Sequence, residues 1–139
     1  MRPGQRDLVE NLLPKLEVDP VSTDIFDPRT GFGPDLDDVW LEIGFGGGEH
    51  LAWQAAANPG TGIIGCEPFI NGVAKLLTRV RDDDLSNVRF YRDDARLLVE
   101  RLRENSLGRA FILFPDPWPK TRHHKRRIIS DEVLGHLAR

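Results

Sequence analysis

The sequence has one cysteine, one methionine and one tyrosine in 139 residues. A single thiol, Cys66, excludes an internal disulfide and suits a reducing compartment. It lies in an apolar run, which reads as core packing rather than chemistry. No stretch of about 18 apolar residues occurs, so no transmembrane helix is expected. The first residues form no apolar segment of the kind that opens a secretory signal, and a cytoplasmic location is the expectation. An excess of positive charge is also missing. Lys and Arg number 19 against 22 Asp and Glu, a net charge of −3. A global basic field therefore cannot explain nucleic-acid binding, and only a local patch could. His123 and His124 are adjacent, without the spacing of metal ligands on a helix, and no metal is expected. The length suits one domain that buries roughly 65–70% of its unfolded surface.

Glycine is abundant in one place. Leu41-Glu42-Ile43-Gly44-Phe45-Gly46-Gly47-Gly48-Glu49 follows an apolar run and precedes a helical pattern. Strand, glycine turn and helix start bring free N–H groups and a positive dipole end to one point. The spacing is E-x-G-x-G-x-G. A dinucleotide fingerprint needs G-x-G-x-x-G, and its third glycine would fall on Glu49. A carboxylate there repels a pyrophosphate but attracts an ammonium or a sulfonium. Glu42, Gly44 and Gly46 therefore suit a cationic, phosphate-free nucleoside, of which S-adenosyl-L-methionine is the common example. A nicotinamide dinucleotide is disfavoured by the same residue.

Around this loop the periodicity alternates. Strands are predicted over 39–43, 62–66, 88–91 and 110–114, and helices from 49, over 69–80 and over 95–104. An earlier helical stretch over 5–13 is predicted to end at Pro14. Residues 17–38, rich in Asp, Pro and Gly, read as a long loop. The βαβαβαβ order predicts an α/β fold with a parallel sheet and helices on both faces. Ligands then bind at the C-terminal ends of the strands, and an acid follows each one. Glu67, 25 residues after Glu42, could accept both ribose hydroxyls of a nucleoside. Asp94 could accept from an adenine amino group, with Ala95 leaving room for the ring, and Asp93 is its rival.

The fourth strand leads into Pro115-Asp116-Pro117-Trp118, where prolines stiffen the backbone around an acid and an aromatic. A flat base needs such a face and such an acceptor. Lys120, Arg122, Lys125, Arg126 and Arg127 follow within eight residues. In an acidic chain they form a local phosphate-binding patch.

The string P-D-P-W-x-K-x-R-H-x-K-R-R, with the glycine loop, Gly65-Cys66-Glu67-Pro68 and Asp94-Ala95, closely resembles the bacterial tRNA (guanine-N7)-methyltransferases. That resemblance implies a Rossmann-like S-adenosylmethionine-dependent methyltransferase fold. It implies methyl transfer to N7 of a guanine in the tRNA variable loop. It assigns Glu42, Glu67, Asp94 and Asp116 to the cofactor, Asp116 also to the active site, and Lys120 to the tRNA. It divides the chain into an N-terminal helix and loop over 1–38 and a methyltransferase part over 39–139, with the family's C-terminal strands missing. The fourth strand would then be an apolar edge, and missing sequence or a second subunit is expected to cover it. Another RNA methyltransferase, or a non-catalytic RNA- or nucleoside-binding fragment, remains the alternative.

Overall fold

β-branched and aromatic residues dominate the segments that pair. β1 (Asp38–Ile43), β2 (Thr61–Cys66), β3 (Val88–Tyr91) and β4 (Arg109–Ile112) form one parallel sheet in the order β3-β2-β1-β4. The computed structural model describes residues 2–20 and 24–113. Helices α1 (Pro3–Asn11), α2 (Leu13–Leu16), α3 (Glu49–Ala57), α4 (Ile70–Asp82) and α5 (Ala95–Val99) surround the strands. Among the described residues no helix is long and apolar enough to cross a membrane.

Successive strand residues point to opposite faces, so two cores form. On one face Trp40, Ile63, Val88 and Phe90 pack with Leu51 and Ala55 of α3, with Val73, Leu76 and Leu77 of α4, and with Leu8 and Leu13. On the other, Val39, Leu41, Ile43, Ile64, Cys66 and Tyr91 meet Leu98 and Val99 of α5, and Phe26. Coverage of both faces explains why β2 is buried at every position. α4 carries Val73, Leu77 and Val80 at helical spacing, all buried. Cys66 is 2% exposed, and burial, helped by Glu67 and Asp94, pushes its thiol well above the ordinary value. A neutral, enclosed thiol is a core side chain, as its sequence context predicts.

Two boundaries differ from the sequence-based expectation. Pro14 does not end the first helix. The helix stops at Asn11, and Pro14 lies in the first turn of α2, where its missing N–H costs nothing. The helix after β3 ends at Val99 instead of reaching residue 104. Its continuation is recruited elsewhere: Phe26 bridges Leu102, with Phe26 N–H donating to Arg101 O at 2.5 Å and Arg103 N–H to Phe26 O at 2.9 Å. The loop over 17–38 is correspondingly pinned. Glu17 bridges Phe90, Pro28–Gly31 form a 3-10 turn, and Arg89 Nε donates to Gly31 O at 2.8 Å.

β4 is the last strand of the sheet on its side among the described residues, as expected. Arg109 and Ala110 are exposed, and Phe111 and Ile112 half-buried. Residues 114–139, including the end of the predicted fourth strand, lie outside the described residues.

Candidate functional site

From β1 the chain steps outward to β2 and β3, then returns to place β4 on the far side of β1. This reversal opens a crevice beyond the strand ends between β1 and β4. In the register, Ile43 stands beside Cys66 and beside Ile112, and Cys66 beside Tyr91. The glycine loop, Glu67 and Asp94 therefore leave the sheet along a single edge.

The loop needs its glycines. Gly44, Gly46 and Gly48 take φ of 73°, 60° and 84°, left-handed values that cost a residue without Cβ almost nothing. Gly44 N–H donates to Cys66 O at 2.8 Å, which ties the loop's start to β2. Gly48 is the N-cap of α3. Gly72, in the first turn of α4, presses on the loop from the other side. A Cβ there would stand 2.2 Å from the Gly46 carbonyl oxygen.

Glu67 is 5% exposed, and both of its carboxylate oxygens are aimed by backbone donors. Oε1 accepts from Gly46 N–H at 2.9 Å and Oε2 from Phe69 N–H at 3.3 Å. It thus joins the loop to the start of α4. Phe69, the α4 N-cap, is 75% exposed beside it.

Glu42 is fully buried. Its Oε1 lies 2.5 Å from His50 Nδ1, while Oε2 has no partner among the described residues. Burial pushes the carboxyl above its ordinary value of 4.5, and the His50 contact opposes this without cancelling it. A carboxyl whose pKa rises on folding holds its proton more tightly in the folded chain. Glu42 therefore contributes stability below about pH 4.5 that is lost as pH climbs through the folded value. Measured by urea unfolding, the stability of the natural chain minus that of Glu42→Gln should fall from about pH 4.5 toward neutrality. A difference independent of pH would contradict this.

Asp94 caps α5, accepting from Arg96 N–H at 3.0 Å. It is also paired with the Arg96 guanidinium, which holds its carboxyl below the ordinary range against a smaller opposing effect of burial. Asp93 Oδ1 accepts from Asp94 N–H at 2.7 Å and faces solvent. At 2% exposure Ala95 packs in the core with Leu98, so its small side chain serves helix–sheet contact.

Glu42, Gly44, Gly46, Glu67 and Asp94 are thus brought to one edge. Asp116, Trp118, Lys120, Arg122, Lys125, Arg126 and Arg127 lie outside the described residues. Two residues were missed in the sequence. His50 contacts Glu42 across the turn, a pairing that no helix or strand period encodes. Gly72 carried a weak signal, since a glycine inside a helical pattern needs a packing reason. Among the described residues no cluster of side chains fits a metal. A buried carboxylate oxygen without a donor and a left-handed glycine cradle fit a cationic nucleoside.

Sheet order and glycine loop place the chain in the Rossmann-like α/β class. Solved methyltransferases share that fold. One described as an antibiotic-related methyltransferase superposes with a TM-score of 0.55 at 18% identity, over 99% of this chain and 59% of its own. The 16S rRNA methyltransferase KamB gives 0.53 at 22% identity, over 83% of this chain and 57% of its own. The chain belongs to the methyltransferase family described as "Putative methyltransferase", which matches residues 37–139. Curated relatives carry the name tRNA (guanine-N(7)-)-methyltransferase. The protein of Nitrobacter hamburgensis is 47% identical over all of this chain and 54% of its own length. That of Paramagnetospirillum magneticum is 52% identical, over 59% of its length. That of Agrobacterium fabrum is 49% identical, over 60%. The chain spans between half and two thirds of the length of these relatives.

Proposed function

We propose that the protein transfers a methyl group from S-adenosyl-L-methionine to N7 of a guanine in the variable loop of tRNA. The observation that carries this is the convergence of Glu42, the glycine loop and Glu67 on the switch crevice of a methyltransferase fold. The names of the relatives supply the acceptor. In this assignment Glu67 receives the ribose hydroxyls, its carboxylate already oriented by two N–H donors. Phe69 offers an apolar face to the adenine. Asp94, oriented by its pairing with Arg96, is assigned to the adenine amino group. The negative charge of Glu42 favours the ammonium and the sulfonium of the cofactor.

When bound, S-adenosylmethionine supplies an electrophilic methyl group. N7 of guanine has a free lone pair at neutral pH, so the chain needs no general base. Its task is alignment, which can supply roughly 7–11 kcal/mol. Asp116 is assigned to steady cofactor and base together, with Trp118 packed nearby. Lys120, Arg122, Lys125, Arg126 and Arg127 are assigned to tRNA phosphates, in a cytoplasmic protein.

Labelled S-adenosylmethionine and a tRNA transcript with a variable-loop guanine test the reaction. Label is expected on the ordinary transcript and not on one carrying 7-deazaguanine, which lacks the acceptor atom. Equal labelling of both would point to another RNA position. Cofactor binding without transfer would make the chain a binding fragment.

A further inference from the structure

We infer that His50 is a positioning residue, which fixes the Glu42 carboxylate so that one oxygen stays free for the ammonium group at the amino-acid end of the nucleoside. The inference rests on the assignment of Glu42 to the cofactor.

Three elements hold the ring. Nδ1 lies 2.5 Å from Glu42 Oε1 on β1, and Nε2 lies 3.4 Å from the Gln54 side-chain amide on α3. The ring edge meets Phe111 of β4 with centroids 5.2 Å apart and planes at 68°. β1 and β4 are the two strands that flank the switch crevice. His50 therefore touches both, with its side chain 37% exposed while that of Glu42 is 1% exposed.

The hydrogen-bond count explains the arrangement. An ionised carboxylate offers about four acceptor sites and needs donors when buried. His50 satisfies Oε1 alone, and Oε2 has none among the described residues. An unpaired buried acceptor costs about 1–3 kcal/mol, a cost that a donor arriving with the ligand would offset. Without the imidazole the carboxylate loses its fixed rotamer and its one side-chain donor among the described residues. Other charged groups on these elements have partners of their own: Glu49 pairs with Arg79 at 3.5 Å, Arg109 stacks over Trp40, and Asp38 accepts from Trp40 Nε1 at 3.1 Å.

Two substitutions separate positioning from packing. His50→Phe keeps an aromatic edge for Phe111 and removes Nδ1. His50→Asn places an amide N–H where Nδ1 stands and removes the ring. Binding is read by calorimetry with two ligands. S-adenosylhomocysteine carries the amino-acid end, and 5′-methylthioadenosine lacks it. His50→Phe should weaken S-adenosylhomocysteine about tenfold and leave 5′-methylthioadenosine unchanged, while His50→Asn should retain affinity for both. Parallel loss of both ligands, no loss of either, or His50→Asn as weak as His50→Phe would overturn the inference. If His50→Phe does not fold, the histidine ¹⁵N spectrum of the natural chain decides. The His50 Nδ1 resonance should move with S-adenosylhomocysteine alone, and a resonance indifferent to both ligands is the opposing result. Glu42→Gln keeps the acceptor for His50 and removes the charge. Unchanged S-adenosylhomocysteine affinity in that variant would refute the assignment of Glu42 itself, which is a separate failure.

Discussion

Gly72→Ala is expected to lower stability by about 1–3 kcal/mol and to weaken S-adenosylmethionine binding by about tenfold or more. Alanine in place of glycine inside a helix ordinarily gains about 1 kcal/mol. Here the new methyl group would lie 2.2 Å from the Gly46 carbonyl oxygen, 3.1 Å from its carbon and 3.5 Å from Glu67 Cγ. Two of those three atoms are backbone, so no rotamer change relieves the overlap. Either α4 or the glycine loop must move, and Glu67 bridges both through its bonds to Gly46 and Phe69. The exposed neighbour Asn71 provides the control. Asn71→Ala should keep binding and gain a few tenths of a kcal/mol from helix propensity. Thermal unfolding and calorimetric titration read both effects. A Gly72→Ala protein that is more stable and binds normally would show that α4 does not support the loop.

The second large effect is expected far from the ligand. Asn87→Ala should cost about 2–4 kcal/mol. Asn87 is 6% exposed, and its Nδ2 donates to Ala55 O at 3.0 Å, Asn58 O at 3.1 Å and Thr61 O at 2.8 Å. These carbonyls belong to the last turn of α3, the turn after it and the first residue of β2. One amide thus ties a helix end, a turn and a strand start to the entrance of β3. Alanine leaves acceptors buried without a donor, and each such loss is worth about 1–3 kcal/mol before water enters. Asn87→Asp should be no better, since it points a carboxylate at carbonyl oxygens. Urea unfolding with an unchanged m value would identify a stability effect rather than a looser native state. A loss under about 0.5 kcal/mol would place Asn87 with ordinary surface sites.

The fold was legible wherever one period dominated. Alternation of strand and helix patterns defined the four strands, and the glycine loop after β1 located the ligand edge. Failures arose where a distant contact decided a local outcome. α5 stops at Val99 because residues 101 and 103 bond Phe26, far back in the chain. Pro14 opens α2 because the chain had already turned at Leu12. At the site, Glu42 and Glu67 could be named from their positions at strand ends. Their partners could not. The donors to Glu67 are backbone groups of the loop and of α4, and the partner of Glu42 is a histidine beyond the turn.

The two margins of the sheet are treated differently. Beside β3, Glu17 bridges Phe90 and Val18 N–H donates to Phe90 O at 2.9 Å, so that margin is already hemmed by the chain's own loop. Beside β4 no described strand follows. Among the described residues, then, a further strand from this chain or another would pair beside β4. Ile43 and Ile112 are register partners at the crevice, so such a strand would also build out the wall facing the substrate. Completing the sheet and completing the acceptor side of the site would then be one structural event.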